Sequence, residues 1–315
     1  MHATIAKVRA ELAKLSEGSE TSLDPKVRNR IQSVAEELRR LEEELQPKKT
    51  AATTTAKPAL PDSAPQAPSR PIIKNHPFQA AIERARRALV GIEAIKDYSA
   101  VTVKLERDWS GKRGERQFMF AKIRHKPFSV YLRFLAPLEA RDREVLFVEG
   151  KNDGMLLARE SPNRPGLVGA AAALIGTRPY PPNGPIPMSG NRYPITEIGI
   201  LNLTKRLVEV GVNDMQYAEA EAKYYPNAKV NERSCEAWAF IHPVKRPYFR
   251  FHRAEVFIDK ELNLPIRYAS YTWPLKEGDP PILLEEYTYT KLKLNNGFTD
   301  GDFDRSNPKY MFDKR

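Results

Sequence analysis

The stretch LLEEYTYTKLKLNNGF, residues 283–298, alternates along almost its whole length. Successive side chains of a β-strand point to opposite faces, so this alternation predicts a strand. One face carries Leu, Glu and Thr, and the other carries Leu, Glu, Tyr and Lys. Neither face is a clean apolar surface, which raises the question of what a sheet built from such strands encloses.

Further segments with strand periodicity lie on both sides of residue 200 and are joined mainly by short turns. They are DYSAVTVKLERDW, ERQFMFAKIRH, PFSVYLRFLAP, REVLFVEGKNDGMLLARE, ERSCEAWAFIHP and YFRFHRAEVFIDKELNLPIRYASYTWP. The pattern predicts roughly eight to ten strands in an antiparallel meander, which is too long to stay a flat sheet. We therefore expect a curved antiparallel sheet, an incomplete barrel, in an α+β fold.

Two helices are predicted to cover this sheet. The first has an apolar stripe at helical spacing, made of Phe78, Ile82, Ala85, Leu89 and Ile92. The second lies in ITEIGILNLTKRLVEVG, with Thr196 as its expected cap. The Pro/Gly-rich segment GTRPYPPNGPIPMSGNRYP precedes it and is typical of a lid or rim loop.

The front of the chain has a different character. Residues 1–46 contain two amphipathic helical patterns, and the second repeats its apolar residues as a heptad seam. This predicts a helical hairpin or coiled coil, either self-associating or packed within one chain. Residues 47–75 are rich in Pro, Ala and Thr and predict a disordered linker. Residues 76–315 are then the working domain.

Composition restricts the function classes. The chain has 315 residues, 41% of them hydrophobic, and a formal net charge of +11 without a Lys/Arg run, so nucleic-acid binding is not favoured. The start, MHATIAKVRAELAK, lacks the apolar centre of a secretory signal, and no stretch approaches 18 apolar residues. We expect no transmembrane segment, and either a cytoplasmic protein or an exported one whose signal lies outside this chain.

Catalytic motifs are missing from the sequence. It has no P-loop, no nucleophile elbow, and no histidine pair with metalloprotease spacing. Glu285 and Glu286 are adjacent and point to opposite strand faces, while Cys235 lies within an alternating strand and is expected to be a packed residue. His242 and His252 flank a predicted hairpin. They are either a metal-binding pair or ordinary residues at a strand edge. We expect a non-enzymatic protein without metal or cofactor.

Aromatic residues on the strands, together with only two covering helices, predict an apolar cavity with a polar rim. The candidate lining residues are Val101, Val103, Phe118, Phe120, Phe128, Val130, Phe134, Phe249, Phe251, Tyr287 and Tyr289. Candidates for contact with a phosphate or carboxylate head group are Arg124, Arg133 and Arg250. Which face of each strand points inward is left open.

Several long segments resemble a bacterial family of unknown function that looks like a branch of the outer-membrane lipoprotein-carrier superfamily, the LolA/LppX-like fold. They include KIRHKPFSVYLRFLAP, REVLFVEGKNDG, GNRYPITEIGILNLTKRL and LLEEYTYTKLKLNNGFTDGDFDRSNPKYMF. The resemblance covers roughly residues 76–313. It implies an open barrel whose helices close over a cavity for acyl chains, and work in the cell envelope or periplasm.

Two functions follow as hypotheses. The first is binding or transport of lipid, or of an acylated protein such as a lipoprotein, in the apolar cavity. The second is a protein-interaction or cell-envelope scaffold module whose cavity is filled by its own side chains, with residues 1–46 available for self-association.

Overall fold

The structure, a computed structural model, describes residues 71–313 except Trp109, residues 167–168 and residues 170–175. The hairpin predicted for residues 1–46 and most of the linker predicted for 47–75 lie outside the described residues and stay predictions. Residues 71–75 form no helix or strand, and the Ile73 N–H donates to the Met215 carbonyl at 3.0 Å.

Eleven strands form within the described residues. They are β1 (Asp97–Glu106), β2 (Gln117–Arg124), β3 (Ser129–Ala136), β4 (Glu144–Val148), β5 (Leu156–Arg159), β6 (Arg178–Tyr180), β7 (Glu221–Val230), β8 (Arg233–Ile241), β9 (Arg253–Asp259), β10 (Pro265–Thr272) and β11 (Ile282–Leu294). The described helices are α1 (Gln79–Ala94), the short α2 (Pro185–Met188) and α3 (Ile200–Asp214). Single 3₁₀ turns occupy Leu138–Ala140, Asn152–Gly154, Ile195–Glu197 and Asp300–Phe303.

All strands belong to one sheet, in the order β6-β5-β4-β3-β2-β1-β11-β10-β9-β8-β7. Every described pair is antiparallel, and the sheet is open, with β6 and β7 at its edges. Two meanders, β1–β6 and β7–β11, therefore join where β1 pairs with β11. The α+β fold with an antiparallel, unclosed sheet that the sequence predicts is confirmed.

The mixed faces of β11 reflect burial on both sides. Glu285 and Tyr289 are buried on the face that carries α1 and α3, with Tyr287 between them. Glu286 and Thr288 are buried on the opposite face, each 6% exposed. A strand that is covered on both faces has no wet side, so its carboxylates are paired: Glu285 accepts from Tyr268 and Ser270, and Glu286 lies 3.4 Å from both Arg116 and Arg267. The Thr288 hydroxyl, in contrast, has no partner among the described residues.

The helix-bearing face holds the central apolar cluster. Tyr98 and Ala100 of β1 and Ile266 of β10 pack there against Ala88 and Ile92 of α1. The first helix thus buries the side that its apolar stripe predicts. Burial of this kind stabilises a fold by roughly 25 cal/mol per Å² of apolar surface removed from water.

The opposite face of β3, β4 and β5 is covered by the C-terminal segment. Tyr310 stacks on Tyr131 with ring centroids 3.9 Å apart, and Phe312 and Phe303 complete this cluster. Glu144 joins the two layers because it accepts hydrogen bonds from the Tyr131 hydroxyl at 2.6 Å and the Met311 N–H at 2.7 Å.

Helix α3 begins later than the sequence predicts. Thr196 lies in a 3₁₀ turn, and the helix starts at Ile200 after Gly199, whose φ is +104°. The expected Thr196 cap is therefore wrong. The Ile200 N–H instead donates at 2.8 Å to the hydroxyl of Tyr98, a β1 residue that is 1% exposed. A residue of the sheet thus satisfies the first turn of α3 and fixes where it begins.

Replacing Tyr98 with Phe should reduce the free energy of unfolding by about 1–3 kcal/mol, because the buried Ile200 N–H loses its acceptor. Chemical denaturation of the full chain measures this. Tyr225→Phe is the matched control, since Tyr225 is 44% exposed on edge strand β7. Equal stability of the two variants would contradict the assigned role of Tyr98.

Candidate functional site

An apolar cavity lies between the helix-bearing face of β8–β10 and the helices α1 and α3. Its lining residues are Phe78, Ala81, Ile82, Ala85, Ala88, Thr204, Leu207, Val210, Gly211, Trp238, Phe240, Phe251, Ala254, Val256, Ile258 and Pro265. Almost all of these side chains are hydrocarbon or aromatic, which is the composition of pockets that take apolar ligands.

The cavity has a volume of about 60 Å³. An apolar cavity of about 150 Å³ suffices to bind benzene. The space therefore holds a few methyl or methylene groups rather than a whole long acyl chain. A long acyl chain exceeds this space as it stands.

Small residues shape the roof of this cavity. Ala81, Ala85 and Ala88 recur along one side of α1, and Gly211 of α3 faces them. A Cβ atom at Gly211 would lie 2.3 Å from Cδ1 and 3.2 Å from Cγ1 of Ile82. The two helices therefore cross closely only because position 211 has no side chain.

Polar side chains stand beside Trp238 and are partly exposed, with 22% of the Arg84 side chain and 16% of the Glu236 side chain accessible. Glu236 lies two residues before Trp238 on the same face of β8, and its carboxylate pairs with the Arg84 guanidinium at 2.8 Å. The Tyr224 hydroxyl donates to Glu236 at 2.8 Å, and Arg84 also bonds to Asn263. These groups form a polar rim on an apolar hollow.

At another side of the cavity, beyond Phe78 and Phe251, two titratable side chains are buried together. His242 is fully buried and stacks on Phe249 with centroids 3.8 Å apart. Its Nε2 lies 3.4 Å from Oδ2 of Asp214, the last residue of α3. No other described group bonds to either of these two atoms.

The hydrogen bonds fix the tautomer of this pair. His242 Nδ1 lies 3.1 Å from the Phe251 carbonyl, so Nδ1 carries the proton and Nε2 is the acceptor. Burial raises the pKa of Asp214 to about 7 and lowers the pKa of His242 to about 4. A protonated Asp214 facing a neutral His242 Nε2 agrees with both shifts, and the negative end of the α3 dipole also disfavours the carboxylate.

Charged groups surround this pair at some distance. The charge of Arg250 opposes the rise in the pKa of Asp214 that burial causes. His76 and His252 act in the same direction as burial and lower the pKa of His242 further. The ring of His76 accepts from the Phe78 N–H at 3.0 Å and bonds to the Tyr217 carbonyl at 2.9 Å. The ring of His252 bonds to the His242 carbonyl at 2.9 Å. The imidazoles of His242 and His252 are thus both engaged with backbone.

A second buried polar group lies next to the cavity, since Tyr268 and Tyr287 pack in the same apolar cluster as Phe251. Glu285 accepts from the hydroxyls of Tyr268 and Tyr287 at 3.2 Å each, and from Ser270 at 3.0 Å. Burial raises the pKa of Glu285, and the Arg192 charge opposes this.

This group holds the Pro/Gly-rich loop on the sheet. Arg192 Nε lies 3.4 Å from Glu285 Oε2, and the backbone N–H of Arg192 donates to Glu106 at 3.0 Å. The Tyr193 hydroxyl donates to Glu285 at 3.2 Å. Glu285 and Glu106 are therefore occupied by protein donors, which is the arrangement of structural carboxylates rather than of a general acid and base.

The structure places the predicted lining residues on different faces. Phe251 lines the cavity, Tyr287 lies in the adjoining cluster, and Phe249 stacks on His242. Four others lie on the helix-bearing face of the sheet but outside the cavity: Phe128 just before β3, Val130, Phe134 and Tyr289. The remaining four lie on the opposite face: Val101, Val103, Phe118 and Phe120.

None of the three predicted head-group arginines lines the cavity. Arg124 lies on the opposite face, bonded to Ser129 and to Asp300 at 2.8 Å. Arg133 pairs with Asp142 at 2.7 Å. Arg250 is exposed.

Sequence reasoning missed the residues that define the roof and the rim of the cavity. The alanines at 81, 85 and 88 follow helical spacing, a pattern of close helix approach that was available in the sequence. The pairing of Arg84 with Glu236 joins residues 152 positions apart and has no local signal. Within the described ranges no group of His, Cys, Asp and Glu could hold a metal ion, and no helix is long and apolar enough to cross a membrane.

A family model described as a protein of unknown function, DUF1571, matches residues 95–312. A search of curated proteins gives no match. Similar solved structures include an uncharacterised conserved protein from Thermus thermophilus, at 11% identity and TM-score 0.38, covering 71% of this chain and 93% of that one.

Two further solved structures are similar to this chain over most of their own length. A putative outer-membrane lipoprotein-sorting protein domain from Vibrio parahaemolyticus has 12% identity and TM-score 0.33, covering 71% of this chain and 96% of its own. The lipoprotein LppX of Mycobacterium tuberculosis has 9% identity and TM-score 0.38, and the match covers 71% of this chain and 98% of LppX. At such identities and TM-scores, what this chain binds must be inferred from its own residues.

Substitutions in the Asp214–His242 pair should give opposite pH dependences of stability relative to the wild type. A raised Asp214 pKa destabilises the fold as pH rises from about 4 to about 7, and a lowered His242 pKa destabilises it as pH falls from about 6.5 to about 4. Between pH 4 and 6.5 the two contributions oppose each other in the wild type.

Asp214→Asn should therefore lose stability relative to the wild type as pH falls through this window, and His242→Gln should lose it as pH rises. Urea denaturation at pH 4.5 and 6.5 measures both differences. Parallel pH profiles for the wild type and the two variants would contradict the assignment of a protonated Asp214 facing a neutral His242.

Proposed function

This chain belongs to the DUF1571 family of proteins of unknown function, and we propose that it binds an acyl chain, of a lipid or of an acylated protein, without catalysing a reaction. The cavity under α1 and α3 carries this proposal, because its wall is almost entirely apolar and its rim is polar. Each methylene group transferred from water into such a wall contributes about 0.8 kcal/mol.

The covering helices supply the means of entry. At the cavity their contact with each other and with β8–β10 is apolar. The polar links between these elements include the bonds of Arg84 to Glu236 and Asn263 and the exposed ion pair of Lys205 with Glu93. Separating apolar surfaces breaks no buried hydrogen bond, so an entering hydrocarbon chain can replace the contacts that it displaces. The cavity of about 60 Å³ is then the starting point for a larger binding space.

The buried polar groups also support binding rather than catalysis. Glu285 and Glu106 accept hydrogen bonds from Tyr, Ser and backbone donors, and Asp214 faces His242 behind Phe78 and Phe251. The resemblance of residues 76–313 to lipoprotein carriers supports an activity in the bacterial cell envelope, with lipoproteins among the partners.

Mass spectrometry of lipid extracted from the purified full chain tests the proposal directly. Co-purifying acyl lipid, or binding of a dansylated fatty acid, is the expected result. A protein that is empty in every preparation and does not bind fatty-acid probes would overturn the proposal and favour a protein-interaction module.

Filling the cavity should weaken the binding of acyl ligands. Ala85→Leu replaces a methyl group by an isobutyl group in the cavity wall on α1, so the affinity for a dansylated fatty acid should fall by about tenfold or more. Ala80→Leu is the matched control, because Ala80 is an exposed alanine of the same helix. Fluorescence titration measures both, and equal affinity of the two variants would place the ligand elsewhere.

Locking the helices together should block long chains. A Cβ at position 211 lies 3.2 Å from Cγ1 of Ile82, which brings the Cβ atoms of these two positions within reach of a disulfide. The double variant Ile82→Cys and Gly211→Cys is made in a Cys235→Ala background, which also serves as its control.

The oxidised double variant should lose binding of a 16-carbon fatty acid by about tenfold or more, and reduction should restore it. Titration of the same sample before and after reduction measures the change. Unchanged affinity after oxidation would show that the helices need not separate for a long chain to bind.

A further inference from the structure

Trp238 carries a polar group that the protein leaves uncommitted. Its side chain lines the cavity from β8, and its ring packs against Tyr224 with centroids 4.6 Å apart. Nε1 is shielded from solvent, yet it has no hydrogen-bond partner among the described residues. An indole N–H can only donate, and a buried donor without an acceptor destabilises a fold.

Trp273 shows the ordinary arrangement for comparison. Its Nε1 donates to the His242 carbonyl at 3.1 Å, so its indole is satisfied within the protein. The difference between the two residues is that only Trp238 lines the cavity.

The rest of the cavity wall offers Trp238 no acceptor. Thr204 is the other lining residue with a polar side-chain atom, and its hydroxyl donates to the Ile200 carbonyl at 2.7 Å. All remaining lining residues have hydrocarbon side chains, except Gly211, which has none. Nε1 has almost no surface open to the cavity as it stands, so an acceptor can come from an occupant that moves α1 and α3 apart as it enters.

The position of Trp238 along its strand sets the direction of that occupant. Glu236, two residues earlier on the same face, lies on the polar rim with Arg84 and Tyr224. Phe240, two residues later, lines the apolar wall. Trp238 thus stands where the polar and apolar parts meet, which is where the carbonyl of an acyl compound lies when its chain is buried.

We infer that Trp238 is the specificity-determining residue of the cavity, and that its indole N–H donates to the carbonyl oxygen of an acyl ligand, a fatty acid or a fatty-acid ester. This inference rests on the proposed function, because it assigns the polar end of the same ligand. A hydrocarbon of equal length can enter the widened cavity in the same way but leaves the donor unpaired.

The test compares ligands that differ only in the acceptor. Decanoic acid, methyl decanoate and decane are titrated against a bound apolar fluorescent probe, with the full-length wild type, Trp238→Phe and Trp273→Phe. In the wild type and in Trp273→Phe, both acyl ligands should displace the probe about 3- to 10-fold more effectively than decane. In Trp238→Phe this preference should disappear, while displacement by decane stays unchanged.

A second measurement uses the wild type alone. In a ¹⁵N-labelled full-length sample, the Trp238 indole N–H resonance should move downfield with methyl decanoate but not with decane. This readout separates a hydrogen bond from a general packing effect, and it does not depend on how well Trp238→Phe folds.

The outcomes separate the two proposals. If decane and the acyl ligands displace the probe equally, or if the preference persists in Trp238→Phe, the role of Trp238 is overturned while acyl binding in the cavity stands. If none of the three ligands displaces the probe, the proposed function itself fails, and this inference fails with it. A preference for decanoic acid alone, without methyl decanoate, would also overturn it, because a carbonyl acceptor is common to both.

Discussion

The pairing of β1 with β11 is the interaction on which the rest of the structure depends. It joins two meanders into one sheet and runs from Tyr98, opposite Leu294, to Glu106, opposite Glu285. Because α1 precedes the first meander and α3 precedes the second, only this pairing brings both helices over the same face. Tyr98 then ties β1 to the start of α3 through the Ile200 N–H.

The cavity follows from how those helices meet. Gly211 allows α3 to approach Ile82 closely, and the alanines of α1 leave space rather than fill it. Protein interiors normally pack at the density of organic crystals, so an apolar hollow lined by small residues is a departure from that rule. Such a departure lowers stability and is maintained where the space has a use.

Polar groups under the helices fall into two kinds. The Glu285 group is saturated by donors from the sheet and from the loop that carries Arg192, and so it adds rigidity to the surface beside the cavity. Trp238 Nε1 lacks a hydrogen-bond partner in the described protein, and the side chain of Trp238 lines the cavity, whereas Glu285 does not. Buried atoms of Thr288, Arg253 and Arg267 also lack a hydrogen-bond partner among the described residues, so it is the place of Trp238 in the cavity wall that points to a ligand.

The sequence by itself determined the strand periodicity and the two covering helices, because these depend on local spacing and composition. The alternation of residues 283–294 and the stripe from Phe78 to Ile92 both correspond to observed elements. The sequence pattern also predicted Phe251 as a lining residue, and Phe251 lies in the wall of the cavity.

Only the tertiary structure decided which strand face lies under the helices. A period-two pattern separates two faces but does not say which is inside when both are buried, as they are at Glu285 and Glu286. For the same reason Val101 and Phe120 fall on the face away from the cavity. The pairing of Arg84 with Glu236 and the position of Trp238 at the polar rim arise from contacts between distant segments, which no local pattern encodes.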